Sequence, residues 1–527
     1  MPAAASPRFT LFTASPRFTL FTASAVCALI ILDTNIVAVS LPSIARDLSG
    51  SFSDIEWVVS AYLLAFAACL LPAGSLADRF GRRRMLLLGL ALFGAASLAC
   101  GAAPSLLFLD LARAAKGIGA ALLLTAALAA IGHRFHAPQE RMRAWAFWGA
   151  CMGATITFAP LLGGLIASTL GWRWIFYINL PLVIVLAFMV ASSIEESRDG
   201  LAARFDPLGS LTFAGGLGYL TWALIDANRV GWDSAPTLGR LLIGVFLLGL
   251  FVMVERSQAR PMVDLGLMRS GRFIGALLGM LAYAACAQVM MTLLPLYLQS
   301  GLQLSALAAG AGMLPFAVAM LLTPRLGMRM AARLSPAQVF ALGLVLVGVG
   351  NLACAWATGQ SGYAAFALAN VVLGAGAGLL NGDTQKNIMA CVPRERTGMA
   401  SGLSTTTRFG AIVLAIGILG GILAARSGQL LRDALTLQAP EALGVAGEMA
   451  TRVAAGDLHA ALALLDPRLR EVAAPLAHQA FIGGFEAVLC SAGVAALIFA
   501  VLVGVLLNKP LPIGEAPHQT APDIANI

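Results

Sequence analysis

Long apolar runs separated by short polar connectors dominate the chain. Each run approaches the roughly 20 residues that an α-helix needs to cross a bilayer. The eighth run is the weakest, because its continuous apolar part is only Leu241–Val254. The pattern predicts an all-α membrane protein with fourteen transmembrane helices. We place them at 18–42, 56–76, 85–103, 106–131, 145–168, 173–193, 207–227, 237–254, 273–297, 304–327, 337–357, 361–390, 399–424 and 481–507.

The arginines fall on one side of this arrangement. With fourteen spans, the basic clusters share a side, and the facing connectors Gln299–Ser305 and Thr358–Tyr363 carry no charge. Removing one span would move the last two clusters to the other side. Since short loops rich in Lys and Arg stay in the cytoplasm, we expect a multi-pass protein of the bacterial inner membrane with both termini cytoplasmic. The clusters are Arg79–Arg84, Arg134/Arg141/Arg143, Arg198/Arg204, Arg256–Arg272, Arg325–Arg333 and Arg394/Arg396.

Composition supports this class. The 527 residues are 59% hydrophobic and 11% charged, with a mean hydropathy of +0.85, whereas soluble domains carry roughly a quarter charged residues. The net charge of +8 could suggest nucleic acid, but the positive-inside rule explains the arginines better. The eight isolated cysteines indicate apolar fillers. No nucleophile, P-loop or metal-ligand constellation emerges, so we predict no catalytic residues, no metal, no cofactor, no nucleic-acid partner and no ATP-driven activity.

Asp33 and Arg113 are the best candidates for a functional charge inside the bilayer. Asp33 lies about 12–15 residues into the first span, and buried ionisable groups are costly enough to be functional candidates. A carboxylate whose protonation depends on water access and a nearby cation meets the requirement for proton coupling. Two alternatives stay open: a permanent Asp33–arginine pair, or mutual satisfaction of Asp110 and Arg113, which are three residues apart.

Further polar residues could line a cavity. Lys116 is either a second cation there or a side chain that extends to other polar groups. Asp383 and Arg408 fall at similar depths in spans twelve and thirteen, which makes a cross-helix pair plausible. Alternatively, Asp383 and Lys386 extend to the inner interface.

Two other stretches are candidates for conformational change. The connector between spans two and three holds a predicted gating loop in which Asp78 could pair with an arginine; a simple positive-inside anchor is the alternative. Its residues are Gly74, Asp78, Arg79, Gly81, Arg82 and Arg83. Span five carries a face of small residues with a proline, which permits close packing and bending; a merely structural kink is the alternative. That face comprises Gly149, Gly153, Pro160, Gly163 and Gly164.

Several motifs together resemble the 14-helix drug:proton antiporter branch of the major facilitator superfamily (EmrB/QacA type), over almost the whole chain. The motifs are Leu32–Pro42 in span one, Trp57–Tyr62, the connector Gly74–Arg84, Ala159–Gly164 in span five, and Phe205–Gly209. The sequence departs from the family pattern at several positions, which leaves the substrate open. These are Asn35, Ala38, Ser40, Lys116, Thr125 and Ala159, of which Asn35 and Lys116 are assigned to the substrate cavity.

The resemblance implies a major facilitator fold of two six-helix bundles plus two linker helices. It also implies export of small amphipathic drugs or toxic organic compounds by alternating access, coupled to protons and driven by the proton motive force. An exporter of an endogenous metabolite or siderophore is the first alternative, and a non-transporting membrane receptor the second. A periplasmic adaptor protein could dock on the external connector. The domains are 1–17 (cytoplasmic, with a tandem repeat), 18–200 (first bundle), 201–258 (linker helices), 259–508 (second bundle, with an external connector of short amphipathic helices at 425–480) and 509–527 (cytoplasmic tail).

Overall fold

The computed structural model describes residues 15–135, 138–198, 206–258, 266–330, 333–360, 362–392 and 397–508. The first copy of the tandem repeat, 5–13, and the tail 509–527 lie outside these residues, whereas the second copy, 14–22, runs into α1. The regular structure is helical: α1 Pro16–Asp47, α2 Phe52–Phe80, α3 Arg82–Gly101, α4 Leu106–Arg134, α5 Pro138–Thr169, α6 Trp174–Tyr177, α7 Asn179–Ser193, α8 Pro207–Val230, α9 Ala235–Ser257, α10 Gly271–Tyr283, α11 Met290–Ser300, α12 Ala306–Gly312, α13 Leu314–Met330, α14 Pro336–Thr358, α15 Tyr363–Ala390, α16 Thr397–Gln438, α17 Ala446–Ala454, α18 Leu458–Ala463 and α19 Pro467–Leu507.

The fourteen predicted spans are confirmed. Within the residues that the structure describes, thirteen helical stretches are long and apolar enough to cross a membrane, and α2 is the fourteenth when its two parts are counted together. The parts Asp54–Leu70 and Pro72–Phe80 meet at a 52° bend, because a proline inside a helix removes one hydrogen bond and clashes with the preceding turn. The weak eighth run becomes α9, whose 23 residues are ample for a span.

Serine side chains cap the N-termini of several helices. An N-cap oxygen satisfies a backbone N–H group that the helix itself leaves without a partner. In α2 and α14 the cap is reciprocal, since Ser51 and Asp54, and Ser335 and Gln338, bond each other's backbone N–H groups. Polar connectors therefore fix the helix starts. Single serine caps also precede α1, α4, α9, α10 and α12.

Short helices make up only the middle of the predicted external connector, 425–480. Helix α16 continues to Gln438 and α19 begins at Pro467, so the expectation of short helices applies only between these two residues. Charged residues end an apolar run without ending a helix once the helix has left the bilayer. The remaining connector holds α17 and α18, and α17 buries Met449 and Val453 while it contacts α16 and α19.

The helices form two bundles. Helices α1–α7 contact one another in the first, and α10–α16 with α19 do so in the second, while α8 lies against both α2 and α16. We call the side that holds Arg79–Arg84 the basic side and the opposite one the outer side. The bundles meet through α2 with α16 and, toward the outer side, through α1 with α11 and α5 with α12.

Candidate functional site

Asp33 lies at the centre of a fully buried polar cluster in the first bundle. Its Oδ2 atom accepts a 3.0 Å hydrogen bond from Nη1 of Arg113. Its Oδ1 atom accepts from Nζ of Lys116 at 2.5 Å and from Nδ2 of Asn179 at 3.2 Å. The Asp33, Arg113 and Lys116 side chains each have 0% exposure. We call these four residues the Asp33 cluster.

The partners of Asp33 come from two other helices. Arg113 and Lys116 are three residues apart on α4 and therefore share a face, while Asn179 begins α7. Gly117 makes the approach of α4 to α2 possible, because an added Cβ would overlap the carbonyl oxygen of Tyr62. The site thus depends on the relative positions of α1, α4 and α7.

Backbone and aromatic groups complete the surroundings of the two cations. The Nε atom of Arg113 donates to the carbonyl oxygen of Val58 at 2.9 Å, and its guanidinium lies 4.3 Å from the centre of the Tyr62 ring. Lys116 Nζ lies 4.7 Å from the ring centre of Phe93 and 5.0 Å from that of Phe176. Ring faces attract cations, so the rings add to the stabilisation of both charges.

The structure brings together Asp33 and Arg113 and places Lys116 with them. Of the alternatives, mutual satisfaction of Asp110 and Arg113 does not occur, because Arg113 pairs with Asp33 and the buried Oδ1 of Asp110 accepts no hydrogen bond. Asn35 does not join the cluster. It is half-buried, and its Nδ2 atom donates to the carbonyl oxygen of Ile31 one turn earlier.

Arg408 belongs to a second polar group, in the second bundle. Its Nε atom donates to Oε1 of Gln288 at 2.6 Å, and Tyr283 donates its hydroxyl to Oδ1 of Asn381 at 3.0 Å. Gln288 ends a π-helical turn, Ala284–Gln288, a distortion common at functional sites. The predicted Asp383–Arg408 pair is not among the ion pairs of the described residues. Asp383 is half-buried, and the side chain of Lys386 lies outside the described part.

The predicted gating connector is mostly helical. Gly74, Asp78 and Arg79 belong to α2, and Gly81 alone, with φ +110°, separates α2 from α3. Gly74, a residue of the predicted gating loop, therefore lies inside a helix and not in a loop. Asp78 pairs with Arg82 at 3.1 Å across the break.

Glu196 and Arg83 tie this break to the end of α7. The Glu196 carboxylate accepts hydrogen bonds from the backbone N–H groups of Arg83 and Arg84 at 3.2 and 3.3 Å. Arg83 Nη2 donates to the carbonyl oxygen of Ala191 at 2.6 Å. A carboxylate at a helix N-terminus is favourable, so Glu196 fixes the start of α3.

The small residues of span five divide into two groups. Toward the outer side, an added Cβ at Gly164 would overlap the carbonyl oxygen of Ala306, and one at Gly310 that of Pro160. Gly163 packs against α1, where a Cβ would lie 2.8 Å from the Ile36 carbonyl oxygen. Toward the basic side, a Cβ at Gly153 would meet only the flexible end of Leu321, and one at Gly149 nothing within 4 Å. The bundles are therefore closed on the outer side.

Three functional candidates were missing from the sequence prediction. Asn179 joins the Asp33 cluster, Gln288 holds Arg408, and Gln299 Nε2 of α11 donates to the carbonyl oxygen of Val39 on α1 at 2.7 Å. An amide inside an apolar run is the signal that all three share. Amides carry no charge, so their partners can be identified only from the packing.

Two bundles joined by a pair of extra helices, with buried charges inside one bundle, define a membrane transporter. The chain belongs to the Major Facilitator Superfamily, whose model matches residues 23–417.

Curated relatives cover most of the chain. It is 34% identical over 398 residues to "Multidrug resistance protein Stp" of Mycobacterium tuberculosis, covering 75% of this chain and 74% of that protein. It is 32% identical over 487 residues to "Multidrug efflux pump LfrA" of Mycolicibacterium smegmatis, covering 91% and 94%.

Solved structures share the fold at low identity. A bacterial homolog of the human lysosomal transporter Spinster, inward-facing and unoccupied, has a TM-score of 0.59 at 17% identity over 93% of this chain and 97% of that one. The peptide transporter POT in complex with sulfate has a TM-score of 0.61 at 15% identity, covering 95% and 97%. These likenesses concern the fold alone.

Proposed function

We propose that this protein is a proton-coupled exporter of small amphipathic drugs and related organic compounds, working by alternating access. The observation that carries the proposal is the Asp33 cluster, in which α1, α4 and α7 share one buried carboxylate. Removing a carboxylate and two cations from water is expensive, so a protein that retains them inside a span has a use for them. The names of the relatives support drug-like cargo.

We further propose how the bundles move. The outer side is closed by Gln299 against Val39 and by the close approach of α5 to α12. Opening requires these contacts to break while others form near the basic side, where Asp78 and Arg82 lie. The two-bundle architecture suits such rocking around a central site.

The orientation follows the positive-inside rule. We place the basic side in the cytoplasm of a bacterial inner membrane, with residues 18–200 and 259–508 as the two bundles and 201–258 between them. In this orientation the outer side faces the periplasm or cell exterior, and export means passage from the basic to the outer side.

The test is efflux of ethidium, a fluorescent lipophilic cation, from bacterial cells that lack their own pumps and express this chain. We expect wild-type efflux to stop with a protonophore, and Asp33→Asn to abolish it without lowering the amount of membrane protein. Asp433→Asn is the matched control, because Asp433 is exposed on the outer extension of α16. Unimpaired, protonophore-sensitive efflux by Asp33→Asn would contradict coupling at this cluster.

A further inference from the structure

The contacts of Asp33 indicate that the coupled proton binds to another group and not to the Asp33 carboxylate. We propose that Nζ of Lys116 binds and releases the proton, while Asp33 stays ionised throughout the cycle. This inference rests on the proposed function for what the proton drives, but the identity of the titrating group can be tested separately.

Asp33 is poorly placed to take a proton. Both of its oxygens already accept hydrogen bonds, from Arg113 on one and from Lys116 and Asn179 on the other. A proton on either oxygen would displace a charge-assisted hydrogen bond, the strong kind. It would also leave two buried cations without a counter-ion, which is strongly unfavourable.

The charge count singles out Lys116. The buried cluster has one carboxylate and two cations, so it carries one excess positive charge when every group is ionised. Arg113 cannot release a proton in a protein. The pKa of a lysine shifts readily on burial, so a buried lysine can lose its proton. Loss of the proton from Lys116 leaves a balanced Asp33–Arg113 pair.

The surroundings of Lys116 give it a single strong acceptor. The titratable and charged groups that face it are Asp33 on α1, Cys100 on α3 and Arg113 on its own helix, and the rings of Phe93 and Phe176 cover its remaining sides. The Asp33 carboxylate is therefore what holds the ammonium charged. A movement of α1 relative to α4 would change the distance between this acceptor and Nζ.

Such a movement can be linked to the state of the outer side. Val39, which accepts the hydrogen bond from Gln299 of the second bundle, follows Asp33 by six residues, about 9 Å along the helix. When the site is open to the cytoplasm, the Lys116 ammonium gives its proton to water and becomes a neutral amine. When the site is open to the outside, the amine takes a proton from water.

Direct titration tests the proposal without any substrate. The chain has only three lysines, Lys116, Lys386 and Lys509, so labelling lysine with ¹³C at Cε gives three NMR signals from the full-length protein in nanodiscs. Lys116→Arg identifies the Lys116 signal by its loss, and Lys509 near the chain end serves as reference. We expect the Lys116 signal to move with pH below about pH 9, where ordinary lysines remain charged. A Lys116 signal that stays constant from about pH 5 to 9 overturns the proposal.

Transport by two variants in proteoliposomes gives the second test. Lys116→Arg keeps a cation and donors beside Asp33 but cannot release a proton. We expect it to lose at least tenfold of gradient-driven ethidium uptake, measured relative to its own exchange rate without a pH gradient. Whatever ethidium exchange Lys116→Gln retains should show no response to the gradient.

A purely structural role for Lys116 predicts the opposite order. Arginine would then support gradient-driven transport and glutamine would abolish exchange as well, and that result overturns the proposal. Failure of the well-folded wild type to move ethidium by either assay counts against the proposed export, while the NMR titration still decides which group carries the proton.

Discussion

Gln299 on α11 holds α1 of the opposite bundle through a 2.7 Å hydrogen bond from its Nε2 atom to the carbonyl oxygen of Val39. The bond is made to the backbone, so it depends on the position of α1 and not on a particular side chain there. It links the outer end of the second bundle to the helix that carries Asp33.

We expect Gln299→Leu to favour opening of the outer side. A hydrogen bond of this kind contributes about 1 kcal/mol, which corresponds to a population change of roughly fivefold. Hydrogen–deuterium exchange at the outer ends of α1 and α11 should rise in this variant. The exposed Gln429 on the α16 extension offers the control Gln429→Leu, and equal exchange in the two variants would contradict a gate at Gln299.

Gly164 should be far less tolerant of a methyl group than Gly149 or Gly249. A Cβ there would overlap the backbone of Ala306, which cannot move aside as a side chain can. Gly164→Ala must then separate α5 from α12, and overpacking of this kind costs about 1–3 kcal/mol. We expect the variant to insert normally but to lose most ethidium efflux, because the outer side no longer closes.

Two glycines provide controls for this prediction. Gly249 lies exposed on α9, and Gly149 lies on α5 itself; neither has a heavy atom within 4 Å of an added Cβ. Alanine at either position should leave efflux intact. If Gly149→Ala is as harmful as Gly164→Ala, flexibility of α5 and not its contact with α12 limits transport.

The spans could be predicted from the sequence because the bilayer imposes a length and an apolar composition on every crossing helix. The ends could not, since a helix such as α16 continues beyond Arg426, where the hydropathy falls but the helix does not end. The break between α2 and α3 was placed too broadly for the same reason: Gly74 can continue a helix, and only Gly81 has a backbone conformation that needs glycine.

The site was predictable in its charges and not in its geometry. Asp33 and Arg113 stand out as ionised groups inside apolar runs, and the three-residue spacing of Arg113 and Lys116 already puts both on one face of α4. That Lys116 meets Asp33, and not lipid headgroups or the cavity, follows from the angle between α1 and α4. The contact of Asn179 with Asp33 likewise depends on where α7 begins.

Asp226 and Arg240 should stabilise the two linker helices without taking part in transport. Arg240 Nη1 lies 2.5 Å from Asp226 Oδ2, and its guanidinium lies 4.2 Å from the centre of the Trp222 ring. Asp226→Asn weakens a nearly buried charge pair between α8 and α9, so we expect a loss of roughly 1.5–3 kcal/mol. Thermal unfolding of the purified protein should shift downward, while efflux per folded molecule stays at the wild-type level.

Replacing both members of this pair gives a sharper test. A buried pair exchanged for apolar residues is often neutral or stabilising, whereas loss of one partner leaves an uncompensated charge. The double variant Asp226→Leu/Arg240→Leu should therefore unfold at a higher temperature than Asp226→Asn. A lower unfolding temperature for the double variant would indicate that α8 and α9 need the ion pair itself.

Gly81→Ala should destabilise the protein through a contact as well as through its backbone. Gly81 has φ +110°, and an added Cβ would overlap the Glu196 carboxylate that caps α3. Gly171 has φ +89° with nothing within 4 Å of an added Cβ, so Gly171→Ala isolates the backbone term of about 1–2 kcal/mol. The destabilisation by Gly81→Ala should exceed that of Gly171→Ala by the free energy needed to displace Glu196.

Buried cysteines allow unfolding of these variants to be followed. Five free cysteines are buried, Cys27, Cys100, Cys286, Cys354 and Cys391, and a thiol-reactive fluorophore reports their exposure during heating. We expect the double variant Gly81→Ala/Glu196→Ala to be less destabilised than the sum of its single variants, because both changes disrupt the same contact. Strict additivity would show that Glu196 moves aside freely and that its hydrogen bonds to the start of α3 do not hold the break between α2 and α3.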